Sequence, residues 1–271
     1  MNKFFLSSFF IFFLFSKAYS LVVGNPSDPG LFENGVFTKN KKVASFRASY
    51  LYDNIYKVEY TNNLQLQAKT NVKMKVLASI LTLNFYNRLD LYGILGKANY
   101  EFLDIGDALL LTDDNFAWGA GLKLLLYKGK NIDFSFDGKY FSTKQHPSFF
   151  LIEKLVYTFE GSNTHHLEEI EGSLALSYKT NLLIPYVGAT FVYTLNTDEF
   201  PHSRIVPDPL VKILSRGEDL VEYETGDLKP KMNFGAVIGI SIINKRKNAT
   251  INIETRVIDQ NAFAFIGTLR F

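Results

Sequence analysis

The chain has 271 residues with 29 basic and 27 acidic side chains, no cysteine, and an apolar fraction of 47% that includes 25 Phe and 15 Tyr. Lack of cysteine excludes disulfide stapling, thiol chemistry and cysteine metal sites, and the balanced charge carries no sign of a nucleic-acid partner. Beyond the N-terminus no segment has the roughly 20 consecutive apolar residues of a spanning helix, so the apolar content is dispersed among polar residues.

Residues 1–20 read as a secretory signal peptide. Met1-Asn2-Lys3 is a basic start, Phe4 to Phe15 an apolar run too short to span a membrane, and Ala18-Tyr19-Ser20 a small-x-small cleavage site. Residues 21–42, rich in Gly, Pro and Asn, read as an irregular N-terminal lead-in on the periplasmic side. A first long strand is expected from Val43 to Tyr60. Phe46, Ala48, Tyr50, Tyr52, Tyr56, Val58 and Tyr60 share one face, and Ser45, Arg47, Ser49, Asp53, Lys57 and Glu59 the other, with the phase running unbroken across Asp53-Asn54.

After a polar loop at 61–71, a second strand runs through VLASILTLNFYN, and Asn87-Arg88 turns tightly into LDLYGILGKANYEF. Past a loop near 103–114, Phe116, Trp118, Ala120, Leu122, Leu124 and Leu126 alternate with inward Gly119, Gly121 and Lys123. A turn at 128–131 leads to Ile132, Phe134, Phe136 and Tyr140 outward, with Asp133, Ser135, Asp137 and Lys139 inward. Residues 145–166 read as part of an outer loop, with an extra hairpin as the alternative. Then Ile170, Leu174, Leu176 and Tyr178 oppose Glu169, Glu171, Ser173, Ser177 and Lys179.

A turn at 179–181 feeds LLIPYVGATFVYTL, where Pro185 costs a ladder bond and predicts a bulge or strand end. Residues 196–229 are the longest loop, with one helical turn expected in LVKILSRG. The strand MNFGAVIGISIIN follows, then a basic turn and a last hairpin joined at Asp259-Gln260-Asn261. The final strand puts Phe263, Phe265, Gly267, Leu269 and Phe271 on one face, and Ala264, Ile266, Thr268 and Arg270 on the other.

This count gives ten strands, or up to twelve if 145–166 adds a hairpin, with short turns at one end and mostly longer loops at the other. The fold class expected for 43–271 is all-β: an antiparallel transmembrane β-barrel of the outer-membrane type. A soluble sandwich would also alternate, but has no reason to keep large aromatics on its water-facing side. Phe271, ending the last strand on its apolar face, is the expected signal for the barrel assembly machinery.

The candidate pore-lining residues are the inward charges: Arg47, Lys57, Lys123, Lys139, Lys179, Lys231, Arg256 and Arg270, with Asp53, Glu59, Asp133, Asp137, Glu169, Glu171 and Glu254. Rings of one sign confer selectivity, so this near-balanced set predicts weak charge discrimination. Alternatively the charges pair across strands and plug a narrow barrel. The four histidines, His146, His165, His166 and His202, fall in expected loops without nucleophile context. No enzyme activity, cofactor or metal is expected, although His165-His166 with Glu168 and Glu169 is a conceivable metal cluster.

Several stretches together resemble the major outer membrane protein (porin) family of chlamydiae. They are LVVGNPSDPGLFENGVF, TLNFYNRLDLYGILGKANYEF, NFAWGAGLKLLLY, EGSLALSYKTNLLIPYVGATF and INIETRVIDQNAFAFIGTLRF. The most specific are SLALSY at 173–178, PYVG at 185–188 and the ETR-ID run with its terminal RF. The resemblance implies an integral outer-membrane porin, usually trimeric, that passes small hydrophilic solutes and ions, contributes to envelope structure and displays variable loops. Expected partners are thus membrane lipid, solutes and further copies of the chain. Members from animal pathogens are cysteine-rich and cross-link the envelope, which this cysteine-free chain cannot do. It is also shorter. The function expected is passive diffusion, with 196–229 as the inward-folded constriction; the alternative is a non-conducting structural or adhesive barrel.

Overall fold

The structure is a computed structural model and describes residues 24–36, 43–62, 69–103, 109–152, 155–160, 164–196, 203–207, 221–223, 228–230 and 233–271. The expected leader at 1–20, the helical turn in LVKILSRG, His202 and Lys231 lie outside the described residues. A short helix α1 (Asp28–Leu31) precedes long strands β1 (Ala44–Asn62), β2 (Lys69–Phe85), β3 (Leu89–Leu103), β4 (Asn115–Lys128) and β5 (Ile132–Gln145). These are followed by β6 (His165–Tyr178), β7 (Leu183–Asn196), β8 (Phe234–Ile243), β9 (Ala249–Val257) and β10 (Gln260–Arg270).

Each long strand pairs antiparallel with the next, and β10 returns to β1, with Arg47 opposite Arg270 and Tyr52 opposite Phe265. The ten strands therefore close into a barrel. Closure satisfies every ladder hydrogen bond in a medium that offers none. The inner-end turns are tight. In the three-residue connection 86–88, Tyr86 and Asn87 both have positive φ (54° and 52°), as the centre of a mirror-image turn closed by Arg88 N–H on the Phe85 carbonyl (3.0 Å) requires. Pro185 pairs with Ile240 on the β8 side, while the β6 ladder begins only at Tyr186, so its missing N–H falls at a strand end as expected.

Alternation is carried into three dimensions almost without error. Along β10 buried and exposed residues alternate, Ala264, Ile266, Thr268 and Arg270 inside and Phe263, Phe265 and Leu269 outside. Phe116, Trp118, Leu122, Leu126, Leu176, Val187 and Ile238 stand equally exposed on the other strands. A continuous apolar belt of this extent is stable only against lipid. A charge placed in it is costly: Leu122→Arg is expected to destabilise the folded barrel by about 2–4 kcal/mol, measured by denaturant unfolding in lipid vesicles.

One expected phase is wrong. The β1–β2 register shifts between Ile55 and Val58, and the β1–β10 register between Ile55 and Lys57. A bulge inserts a residue and turns every later side chain to the opposite face. Val58, expected outside, is buried in the bore, whereas Tyr56 and Lys57 are both exposed. Lys57 therefore does not line the lumen. The side chain of Glu59 lies outside the described residues. The last hairpin also turns earlier than expected: Ile258-Asp259 connects β9 to β10, with Ile258 at φ 88°.

The strand β9, with 9 residues, matches the roughly 9–11 residues a tilted strand needs to cross a bilayer, whereas β1 has 19 and stands well clear of it. Outer-loop segments continue this raised wall. Leu109–Thr112 pairs with the end of β3, Pro147–Ile152 with Leu109–Thr112, and Leu155–Glu160 with both Pro147–Ile152 and Ser203–Pro207. The hairpin at 147–160 thus exists, but in the outer sheet rather than in the barrel wall, and the wall has ten strands. The described parts of 196–229 also join this outer region: Ser203–Pro207 pairs with Val221–Tyr223, and Leu228–Pro230 with the end of β1.

Candidate functional site: the barrel interior

The bore is filled from its inner end by a segment expected to be an irregular lead-in. Residues 24–36 lie among inward side chains from around the whole circumference. Lys123 (β4) donates to the Asn25 carbonyl (3.1 Å) and pairs with Asp28 (2.9 Å). The Ser27 hydroxyl meets Ser135 (β5) at 2.9 Å, and Ser177 (β6) donates to the Asn25 side-chain oxygen and meets the Ser27 hydroxyl, each at 2.9 Å. Asn25 donates to Ser241 (β8) at 3.0 Å.

Arg47 (β1) donates to the Asp28 carbonyl at 3.0 Å and lies 4.8 Å over the Phe32 ring, while Arg270 (β10) donates to the Phe32 carbonyl at 2.6 Å. Leu31 and Phe32 pack against Ile184 (β7) and Ile243 (β8). Only an object inside the barrel can touch all these inward groups. Asn25 and Ser27 have no solvent exposure at all.

The local chemistry explains why this segment turns there. The Asn25 side chain accepts from the Ser27 N–H (2.9 Å), and Pro29 supplies the fixed φ that begins α1. Gly24 has φ 81° and its missing Cβ would meet Asn252 at 2.8 Å, so glycine is required at the entry. Further along, Glu33 N–H bonds to the Lys247 carbonyl (3.1 Å) and Val36 N–H to the Arg270 carbonyl (2.7 Å), stitching the segment to the inner rim.

Around and above the plug the inward charges are paired. Arg47 binds Asp90, Arg256 binds Asp53, Lys139 pairs with Glu171 at 2.8 Å, and Lys179 pairs with Asp133 at 2.8 Å at the inner rim. Two tyrosines repeat one motif. Tyr92 donates to Asp137 and Tyr186 to Glu254, each at 2.6 Å. Each ring lies across a glycine opposite it on the neighbouring strand, where a Cβ would come within 2.5 Å at Gly121 and 2.2 Å at Gly239. An aromatic covering a cross-strand glycine fills the bore and pins the register.

Of the candidate lining residues, Arg47, Lys123, Asp133, Asp137, Lys139, Glu169, Glu171, Glu254, Arg256 and Arg270 are buried inside, and Lys179 is half-buried. Their inward orientation is as expected; most are engaged with partners across strands or with the plug. Toward the outer end the contents change. Leu51, Ile55, Val58, Val72, Met74, Val76, Ile94, Tyr100, Phe141 and Leu167 form one apolar cluster, chiefly from the β10–β1–β2–β3 wall. Gln145 caps it, fully buried, bonding the Thr112 hydroxyl (2.9 Å) and the Ala98 carbonyl (3.0 Å).

Sequence reasoning collected charges and so missed this cluster. Asp28, Asp90, Tyr92 and Tyr186 were also missed as interior ligands. The signal available was an inward tyrosine opposite an inward glycine. Phe271 packs beside Phe46 (6.1 Å between rings), and its N–H bonds to the Phe46 carbonyl (2.8 Å) at the inner rim.

The described histidine contacts form no relay. Ser142 Oγ is 3.1 Å from His166 Nε2, and Glu168 Oε1 is 3.4 Å from the same nitrogen. A Ser-His-acid relay needs the hydroxyl and the carboxylate on opposite ring nitrogens. Alternation also sends Glu168 outward and Glu169 inward, so the two cannot share a metal; no grouping of three metal-binding side chains occurs among the described residues.

A closed ten-stranded antiparallel barrel, apolar outside and ion-paired inside, is an integral outer-membrane β-barrel. No protein-family model matches the chain. It is 22% identical to the major outer membrane porin, serovar H, of Chlamydia trachomatis, over 98% of this chain and 99% of that protein. That likeness is to a porin-like outer-membrane family. Among solved structures, the translocator domain of autotransporter NalP from Neisseria meningitidis superposes with TM-score 0.40 at 9% identity, covering 86% of this chain and 89% of that one. The COG4313 outer membrane channel from Pseudomonas putida F1 does so with TM-score 0.40 at 9% identity, covering 84% and 96%.

Proposed function

We propose that this protein is a porin-type barrel that rests closed. It serves the envelope as a rigid outer-membrane element, and small hydrophilic solutes and ions pass only when residues 24–36 leave the bore. The observation carrying this reading is the plug, held by inward groups from around the circumference. A narrow barrel packed by side chains conducts little. Single-channel recording of the mature protein in a planar bilayer tests it. A sealed bilayer at low voltage, with folding verified by circular dichroism, is expected; steady discrete steps from the unmodified protein would overturn the closed state.

A second reading, a constitutively open diffusion porin, draws on the near full-length likeness to a protein named as a porin. It is also favoured by buried side-chain atoms of Thr190, Asn233, Thr250 and Asn252, along β7 to β9, that have no hydrogen-bond partner among the described residues. Buried polar atoms of this kind are ordinarily satisfied by water. Assembly into trimers and recognition of Phe271 by the assembly machinery belong to the same proposal.

A further inference from the structure

The outer surface of the barrel carries a cleft that neither the plug nor the lumen uses. Cross-strand register lays its residues in rows. Trp118 is opposite Ser142, which is opposite Glu168; one row further toward the loops, Lys144 is opposite His166. Trp118, His166 and Glu168 share the outward phase of Leu122 and Ile170, so the row faces the membrane side of the wall at the loop end of the strands. The cleft measures about 420 Å³ and is also lined by Phe116.

We infer that this cleft binds the phosphate headgroup of an anionic membrane lipid, with Lys144 on the phosphate and the lipid's upper chain against Phe116 and Trp118. Three observations converge. First, the cleft offers one exposed cation. Lys144 is exposed and has no ion pair among the described residues. The cleft's carboxylate is already engaged, since Tyr140 donates to Glu168 at 2.8 Å and His166 lies 3.4 Å from it. Second, the groups are held in place. Ser142 is buried and hydrogen-bonded to His166, and the Trp118 ring rests 5.2 Å from that of Tyr140.

Third, the wall beneath is shaped for a chain. The next rows are Ala120–Tyr140–Ile170 and Leu122–Gly138–Gly172. Outward Gly138 and Gly172 face each other, and the Phe136 ring lies against both, at 3.0 Å and 3.6 Å from where their Cβ atoms would be. The surface under the cleft is therefore shallow and apolar. Aromatic rings with a cation just above them, over an apolar descent, match the depth profile of a lipid from headgroup to acyl chain.

Trp118 is the only tryptophan in the chain, so its own fluorescence reports the cleft. The mature protein is reconstituted in phosphatidylcholine vesicles containing a minor fraction of lipid brominated on its acyl chains. Brominated phosphatidic acid is expected to quench Trp118 about twofold more than brominated phosphatidylcholine at equal mole fraction. Lys144→Glu is expected to abolish that excess and leave quenching by phosphatidylcholine unchanged. Equal quenching by the two lipids in the unmodified protein, or an undiminished excess in Lys144→Glu, would overturn the assignment. Removal of the excess by added inorganic phosphate would also overturn it, reassigning the cleft to a free anion.

Discussion

Mature protein lacking residues 24–36 should give discrete conductance steps in a bilayer that the complete mature protein leaves sealed. The deletion removes the only backbone found inside the barrel among the described residues, and with it the partners of Lys123, Ser135, Ser177 and Ser241. A milder variant gives a graded version of the same test. Asp28→Ala removes the carboxylate paired with the buried Lys123 ammonium, and breaking a buried pair costs about 3 kcal/mol, which would raise the population of the released plug by roughly a hundredfold.

Failure to fold would blur the deletion, so a covalent lock is the decisive variant. The chain has no cysteine, and the hydroxyls of Ser27 and Ser135 are 2.9 Å apart. In the double variant Ser27→Cys with Ser135→Cys, combined with Asp28→Ala, oxidation should silence the channel and reduction should restore it. Conductance indifferent to the redox state would mean that the plug is not the gate.

The second large effect is expected in the middle of the bore. Asp53 and Arg256 are almost wholly buried and bonded to each other across β1 and β9. Asp53→Leu removes the carboxylate bonded to the buried guanidinium, an expected loss of about 3–5 kcal/mol if the bore is dry. Replacing both partners, Asp53→Leu with Arg256→Met, should recover most of it, because a well-packed apolar pair avoids the desolvation of two charges. Denaturant unfolding in detergent micelles, followed by Trp118 fluorescence, reads both variants. A single variant costing under about 1 kcal/mol would show that the pair is effectively hydrated, as the open-porin reading requires.

These two tests interrogate different layers. The plug variants test whether the inner mouth opens, whereas the Asp53–Arg256 pair reports how dry the bore is above it. A sealed barrel with a dry middle would make the protein principally an envelope element. A gate that opens onto a hydrated middle would make it a regulated pore.

The sequence by itself determined the wall strands, their number to between ten and twelve and, almost everywhere, which side chains face out. The reason is the solvent. Lipid demands an apolar residue at every second position, and a period of two written over some ten residues fixes strand and phase together. Phe263, Phe265 and Leu269 against Ala264, Ile266 and Arg270 needed no partner strand to be read.

Where that contrast between faces fails, so does the reading. The strand β2 is apolar on both sides, Val76, Ala78 and Ile80 within and Leu77, Leu81 and Leu83 without, so nothing in its pattern announces that half of it packs the bore. At Ile55 to Val58 both faces again offer apolar residues, and the bulge that turns Lys57 outward is set by its ladders to β2 and β10. The plug was hidden for a different reason. Asn25, Ser27 and Asp28 look like loop residues, and their partners at Lys123, Ser135, Ser177 and Ser241 lie about 100 to 200 positions away. Alternation reports what each strand meets on its two sides. Only closure of the barrel brings those distant inward groups to one place, and so only the tertiary structure decided that the bore is occupied.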